Sequence, residues 1–231
     1  MMKNAIILGS DSDIAKGLRP LLFADGWKLY DWSRNSMSLH ALPYWDLVII
    51  AVGRVAPVGW WWDQSNDDWE YTVESNLLLP IRLLRTIWDK RKYGASICWL
   101  AGSNPNMIMD GYSAYNVSKM AVLKAVEQLD HESQNCKFFA LGPGTVLTKI
   151  HDASEGWDNP KLDAARREGR STPIARIYDC MKWAIAQPKE VIGGRNICVS
   201  DSWNKEPHDL PAWLARNQNL YKLRREEHRE E

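Results

Sequence analysis

The 231-residue sequence has no excess of either charge and few cysteines. Lysine plus arginine and aspartate plus glutamate number 29 each, so the formal net charge at pH 7 is zero. No overall field therefore favours nucleic acid or an anionic membrane surface as a partner. The four cysteines are widely spaced and form no C-x-x-C pair, which predicts reduced, buried thiols and no metal site.

Long apolar runs are also absent. None approaches the roughly 20 residues that a membrane-spanning helix needs. The chain enters a strand-like run within four residues of its N-terminus, so we expect no signal peptide and a cytoplasmic location. A chain of this length can bury a full core, most simply as one domain.

A strand, a glycine turn and a helix open the chain. The apolar run at residues 4–8 ends at Gly9, and apolar residues then recur at helical spacing until Asp25 and Gly26. Residues 27–32 predict a second strand. This layout points backbone N–H groups and a helix N-terminus at a phosphate. Strands and helices alternate further on, so we predict an α/β fold, a doubly wound parallel sheet with helices on both faces.

Tyr115 and Lys119 form the most informative pair in the sequence. They lie four residues apart at the start of a predicted helix, and residues at this spacing share a helical face. The ammonium is expected to lower the pKa of the phenol. A phenol tuned in this way can pass a proton to a carbonyl oxygen near neutral pH.

With these features in this order, the chain resembles the short-chain dehydrogenase/reductase family over roughly residues 4–203. We therefore predict a dinucleotide-binding domain at residues 1–203 and a helical extension at 204–231. The motifs that match are the glycine turn from Gly9, the strand and turn at 46–53, the helix segment at 74–77, the strand at 96–103, the Tyr-Lys helix, the segment at 141–148 and the last strand at 192–199.

The resemblance implies a Tyr-Lys-Ser-Asn mechanism of hydride transfer between a nicotinamide and a carbonyl or alcohol substrate. Tyr115 would be the general acid in reduction, and Lys119 would lower its pKa and hold the nicotinamide ribose. Ser103 would hydrogen-bond the substrate carbonyl, and Asn76 would hold a water in the proton relay. Ser103 lies twelve residues before Tyr115, where the commoner spacing would select Gly102.

NADP is the expected cofactor. Ser33 and Arg34 follow the second strand, where NAD-preferring relatives carry an acidic residue, and a guanidinium suits the 2′-phosphate of NADP. In the glycine motif only Gly9 is retained, since Asp13 and Ala15 replace the other two glycines. The predicted cofactor-binding residues are Gly9, Ser12, Asp13, Ile14, Ser33, Arg34, Ala51, Gly53, Tyr115, Lys119, Pro143, Gly144, Val146 and Thr148.

Three segments depart from the family pattern. Only eleven residues separate Arg34 from Asp46, too few for a full crossover, so the third, edge strand should be reduced or absent, with Met37, Leu39 or Leu42 rebuilding the adenine pocket. Pro20 should kink the first helix or cost about 3 kcal/mol. Beyond the last strand, residues 209–223 have helical spacing and predict either a docked helix or a subunit contact.

Thirteen tryptophans are unusual for this length, and three of them are consecutive at residues 60–62. This run predicts either packing or a protein interface, or an aromatic wall for an apolar or sugar-like substrate. Residues 149–171 occupy the position of a substrate lid, but they carry no substrate signature.

Three functions agree with the sequence. The first is an NADP-dependent carbonyl reductase or alcohol dehydrogenase, expected to be a homodimer or homotetramer that binds neither nucleic acid nor membrane. The second is an NADP-binding sensor or scaffold without turnover, which the substitutions at Asp13 and Ala15 would suit. The third is a sugar-nucleotide epimerase or dehydratase, for which the chain is short.

Overall fold

The computed structural model describes residues 3–33, 42–102, 107–204 and 209–224. Within them one sheet has the strand order β2-β1-β3-β4-β5-β6, and every neighbouring pair is parallel. The predicted doubly wound parallel sheet is confirmed. The strands are β1 (Lys3–Leu8), β2 (Trp27–Trp32), β3 (Trp45–Ile50), β4 (Arg91–Leu100), β5 (Cys136–Gly142) and β6 (Asn196–Cys198).

Helices cover both faces of the sheet. Four of the described helices begin at a side-chain cap. Ser12 accepts a hydrogen bond from the Ala15 N–H and Ser65 accepts one from the Asp68 N–H, and Asn159 and Asp209 cap two later helices in the same way. The described helices are α1 (Asp13–Ala24), α2 (Asn66–Val73), α3 (Leu79–Ile87), α4 (Ser113–Glu132), α5 (Pro160–Arg167), α6 (Ile174–Ala186), α7 (Lys189–Ile192) and α8 (Leu210–Arg216).

The hydrophobic core has two halves, one on each face of the sheet. Along β1 the side chains of Ala5 and Ile7 join the half under α1, α6 and α8, and those of Ile6 and Leu8 join the half under α3 and α4. Since both faces are covered, the buried parts of the central strands are mainly apolar and do not alternate regularly with polar residues. Each fully buried aliphatic side chain stabilises this arrangement by about 1.5–3 kcal/mol.

The pairing of β2 at the edge of the sheet is consistent with the short segment between Arg34 and Asp46 in the sequence. β3 pairs with β1 as predicted, and in the part of the chain that the structure describes β2 pairs with β1 alone. Met37 and Leu39 lie outside the described residues. Leu42 is buried beside Trp45 in the core half under α3 and α4, so its predicted place in an adenine pocket is wrong.

Helix α1 continues through Pro20 without a break. Pro20 is exposed, so the Lys16 carbonyl, which loses its helical N–H partner there, faces solvent. Water can satisfy that carbonyl, which explains why this proline is tolerated inside the helix. Helix α1 then ends at Ala24, followed by Gly26 in the left-handed conformation (φ +80°).

The described part of the C-terminal extension packs against the core. Leu210 and Leu214 of α8 are buried with residues of the sheet. The helix ends at Arg216, so the predicted helical stretch to residue 223 was too long. A buried guanidinium is the physical reason: Arg195 donates hydrogen bonds to the carbonyls of Leu214, Asn217 and Leu220, which a continuing helix would need. No helix in the described ranges is long and apolar enough to cross a bilayer.

Candidate active site

The glycine turn after β1 lies at the carboxyl edge of the sheet. Gly9 has φ +89°, and its N–H donates to the Trp32 carbonyl at 2.8 Å. A Cβ atom at Gly9 would lie 2.7 Å from the backbone nitrogen of Val52, so no other residue fits without displacing the end of β3. This first glycine brings the turn against the adjacent loop, as a nucleotide site requires.

The first turn of α1 is occupied by its own side chains. The Ser12 hydroxyl accepts the Ala15 N–H at 3.2 Å, and the Asp13 carboxylate accepts the Lys149 N–H at 3.0 Å. Ile14 packs against the core. Asp13 therefore ties the turn to the segment after β5, and its negative charge opposes an anion at this helix N-terminus.

At the end of β2, Ser33 is buried and has an interaction partner. Arg34 lies outside the described residues. Asp31 inside the strand pairs with Arg19 of α1 at 2.7 Å. Burial raises the pKa of Asp31, and the guanidinium of Arg19 opposes that shift. Asp31, a carboxylate within a strand, thus has a charged partner.

Helix α4 brings Tyr115 and Lys119 together. Lys119 is 4% exposed, and its Nζ donates to the Leu100 carbonyl at 3.0 Å, at the end of β4. The same Nζ lies 5.8 Å from the centre of the Tyr115 ring and 3.8 Å from the position a Cβ would take at Gly53. Burial lowers the pKa of Lys119 to about 8. The predicted shared face is thus present.

The predicted lowering of the Tyr115 pKa is wrong for this arrangement. Burial raises the pKa of Tyr115 to about 12, and the neighbouring Tyr112 adds to the shift. Desolvation of the phenolate is the main cause, and the hydrogen bond of the Lys119 ammonium goes to the Leu100 carbonyl. Tyr115 is therefore protonated at neutral pH and holds a transferable proton, although its raised pKa makes it a weaker acid than a free tyrosine.

Asn76 is fully buried in a π-helical turn at Glu74–Leu78. Its Oδ1 accepts the Arg54 N–H at 2.7 Å, while its Nδ2 donates to the Arg54 carbonyl at 2.9 Å and to the Ser118 Oγ at 2.8 Å. The side chain thereby fixes the loop after Gly53 against α4. Its role in holding a water stays a prediction.

Ser118 is a site residue that the sequence did not single out. Its hydroxyl donates to the Tyr115 carbonyl at 2.7 Å and accepts from Asn76, so it joins the π-helical turn to the helical turn that carries Tyr115. The available signal was a small polar residue on the inner face of α4, beside Lys119. Ser103 lies outside the described residues, which end at Gly102 on that side.

The segment after β5 is the last element of the candidate site at the carboxyl edge of the sheet. Gly144 has φ +75°, and a Cβ there would overlap the Thr172 hydroxyl, while Val146 is buried and Pro143 and Thr148 are partly exposed. After Thr148, a 3-10 segment at Lys149–Ser154 carries Ile150, whose Cδ1 lies 3.5 Å from the Cβ position of Gly53. Ala51 is buried at the end of β3. This segment lies over Gly53, at the position predicted for a lid.

Replacing Lys119 by methionine should raise the free energy of unfolding by about 1–3 kcal/mol at neutral pH, because a buried ammonium is costly. The folded pKa of about 8 is below the unfolded value of 10.5. Between these values the unfolded chain binds more protons, so the contribution of Lys119 to stability rises with pH. The advantage of Lys119→Met should therefore shrink across this window in urea unfolding at several pH values.

The control for that measurement is Lys16→Met, since Lys16 is exposed on α1. It should show no such pH-dependent gap from the wild type. A Lys119→Met protein less stable than the wild type at neutral pH would mean that the hydrogen bond to Leu100 outweighs the cost of burying the charge.

Comparisons with known proteins point in one direction. No family model matches the chain. The chain is 25% identical over 157 residues to the short chain dehydrogenase adrF of Penicillium rubens. The aligned region covers 61% of this chain and 61% of that protein. The corresponding protein of Penicillium roqueforti is 24% identical over 152 residues, 59% of either chain. The chain thus spans about three fifths of the length of these curated relatives.

Solved structures share the fold. A short-chain dehydrogenase/reductase from Saccharomyces cerevisiae superposes with a TM-score of 0.73 at 15% identity, over 86% of this chain and 96% of that one. A small-chain dehydrogenase in complex with NADPH gives a TM-score of 0.73 at 18% identity, with the same coverage. In the described residues, no group of three or more His, Cys, Asp or Glu side chains is placed to hold a metal ion.

Proposed function

Because the chain belongs to the short-chain dehydrogenase/reductase family, we propose that it is an NADP-dependent oxidoreductase acting on a carbonyl or alcohol substrate. The observation that carries the proposal is the buried Lys119 ammonium beside the Tyr115 ring at the carboxyl edge of the sheet. Among the described residues no carboxylate pairs with this buried charge, which is therefore costly, and such groups concentrate at functional sites.

The described residues fit a dinucleotide, with one exception. Gly9 packs against the backbone of Ala51 and Val52, where a Cβ would clash, and this packing forms the tight turn that a dinucleotide site needs. Gly53 and Lys119 lie where a nicotinamide ribose would be held. Asp13 is the exception, since its carboxylate adds negative charge near the predicted phosphate position.

In the reaction, bound NADPH would supply the hydride. Tyr115 would hold a proton at its hydroxyl oxygen and donate it to the substrate oxygen, since its raised pKa keeps the phenol protonated. Lys119 would hold the ribose and offset the negative charge that develops on the phenol oxygen. Ser103 would orient the substrate carbonyl, and Asn76 would position the loop at Arg54 and, through Ser118, the turn that bears Tyr115.

Cofactor preference is the direct test of the predicted NADP site. Arg34→Ala should weaken NADPH binding by about ten- to a hundredfold and leave NADH binding almost unchanged, because one charge-assisted contact contributes roughly 1.5–3 kcal/mol. Fluorescence titration with both cofactors measures the difference. Arg82→Ala is the matched control, since Arg82 is an exposed arginine on α3 that pairs with Glu74.

Equal affinities of the wild type for NADPH and NADH would contradict the NADP assignment. The placement of Asp13 keeps a second function open, that of an NADP-binding sensor without turnover, because added charge near the pyrophosphate favours weak or regulated binding. Turnover of any carbonyl or alcohol with NADPH or NADP would reject the sensor.

We further propose a cytoplasmic homodimer or homotetramer, with the domain at residues 1–203 and the extension at 204–231. Exposed apolar side chains on α2, the π-helical turn and α4 support self-association: Tyr71, Leu78 and Val117.

A further inference from the structure

Four tryptophans form a cluster on the surface beside the candidate active site: Trp60, Trp61, Trp62 and Trp157. Trp60 stacks on Trp62 with ring centres 5.2 Å apart, Trp61 meets Trp62 edge to face at 5.9 Å, and Trp157 meets Trp60 at 5.5 Å. Despite these contacts, Trp60, Trp61 and Trp62 are 44%, 68% and 61% exposed. Core packing therefore does not account for them.

Hydrogen bonds attach the cluster to the segment that leads into α4. The Gly59 N–H donates to the Gly111 carbonyl at 3.0 Å, and the Trp157 Nε1–H donates to the Asp110 carbonyl at 2.7 Å. The Trp157 ring covers Gly111 so closely that a Cβ there would overlap it. Gly111 is four residues before Tyr115, so the cluster is continuous with the proposed catalytic helix.

The polar groups around the cluster bond to each other. Gln64 donates to the Gly59 carbonyl at 2.6 Å and accepts from the Ser113 hydroxyl at 3.4 Å. Asn159 donates to the Tyr112 hydroxyl at 2.9 Å. With these groups and the Trp157 indole N–H already engaged, the cluster offers mainly ring faces and edges to a ligand.

The apolar surface continues along the loop before α4. Met107 and Ile108 are both exposed there, in the same loop as Asp110 and Gly111. Exposed apolar side chains that cluster on a surface mark a binding region more often than singly scattered ones do. The tryptophan cluster joins the loop that follows Gly53 to the segment before α4 and to the segment at 149–171, which also contacts the Gly53 region through Ile150. This connection to the proposed site favours a substrate over a remote partner.

We propose that the tryptophan cluster is the subsite for the apolar ring system of a bulky, fused-ring ketone or alcohol. This inference rests on the proposed function and names the substrate class of the same site. A sugar would need several hydrogen-bonding partners, whereas a fused hydrocarbon ring is bound by stacking and edge-to-face contacts with indole rings.

The test compares β-tetralone, a fused-ring ketone, with cyclohexanone, a small one, and glucose, a sugar, in NADPH- or NADP-linked turnover by the full chain. The wild type should prefer β-tetralone. The double variant Trp60→Ala/Trp62→Ala should lose about 10- to 100-fold in kcat/KM for β-tetralone. Its kcat/KM for cyclohexanone and its NADPH affinity should stay unchanged, which also shows that the variant folds.

Trp213→Ala is the matched control, because Trp213 is half-exposed on α8 and outside the cluster. It should leave both ketones unaffected. Equal loss for β-tetralone and cyclohexanone, an unaltered preference in the double variant, or efficient glucose oxidation without β-tetralone reduction would overturn the subsite. A change in oligomeric mass of the double variant with unaltered kinetics would also overturn it and identify the cluster as a subunit interface.

Failure of the proposed oxidoreductase function can be distinguished from failure of the proposed subsite. If no ketone or alcohol is turned over, the oxidoreductase proposal fails, and binding alone tests the subsite. Titration with 2-acetonaphthone should then quench the wild-type tryptophan fluorescence saturably and lose this effect in the double variant. Absence of saturable quenching in the wild type would overturn the subsite.

Discussion

Tyr115→Phe is expected to lower turnover by about 10²- to 10⁴-fold, the usual contribution of general acid catalysis. The phenylalanine ring can occupy the same space beside Lys119, so the change removes the transferable proton and little else. NADPH binding should therefore survive. Single-turnover and steady-state rates, together with an NADPH titration, separate the two effects.

The control is Tyr93→Phe, which removes a phenol from an exposed position on β4. It should retain wild-type turnover and cofactor affinity. A Tyr115→Phe enzyme with wild-type kcat would refute the assigned chemistry. Tight NADPH binding with no redox substrate in a broad screen would instead favour the sensor.

Arg195→Met is expected to destabilise the protein by about 3–5 kcal/mol, because three carbonyls lose a charged hydrogen-bond donor and each such bond contributes about 1.5–3 kcal/mol, offset in part by removal of the buried charge. Arg195 is 1% exposed and donates to the carbonyls of Leu214, Asn217 and Leu220 at 2.5–3.0 Å. Its charge is balanced by the negative end of α8. Without the guanidinium these carbonyls lose their partner, and each costs about 1–3 kcal/mol if it stays buried.

The loss should be concentrated in the C-terminal extension, because Arg195 joins that segment to the start of β6. Urea unfolding and limited proteolysis would show a lower unfolding midpoint and early cleavage after residue 203. Arg216→Met removes an exposed arginine from the last turn of α8 and serves as the control. Unchanged stability of Arg195→Met would mean that an apolar side chain replaces the buried charge without loss.

Local features of the sequence determined most of the fold. The run at residues 5–8 is apolar at every position because both faces of β1 are covered. Gly9 is required by the turn that follows, since a side chain there would meet the end of β3. The short gap after Arg34 correctly placed β3 beside β1. Each of these depends on spacing or backbone conformation, which the sequence displays directly.

The spacing of Tyr115 and Lys119 also placed both on one face of α4, but it did not give their pKa values. Those depend on desolvation by β4, the loop at Gly53 and the 3-10 segment after Thr148, which come together only in the fold. The link from Asn76 through Ser118 to Tyr115 likewise joins segments 42 residues apart.

Contacts between distant segments also explain why the sequence did not predict the end of the C-terminal helix or the role of the tryptophan run. Helical spacing predicted a helix to residue 223, but Arg195 takes the carbonyls that would continue it. The tryptophan run fitted packing, an interface or a substrate wall. Its exposure argues against core packing, and its contact with Gly111 is the tertiary feature on which the proposed subsite rests. Sequence alone determined periodicity, turns and the order of elements. Tertiary structure decided burial, charge compensation and contacts between distant segments, because those energies depend on neighbours that the chain brings together only on folding.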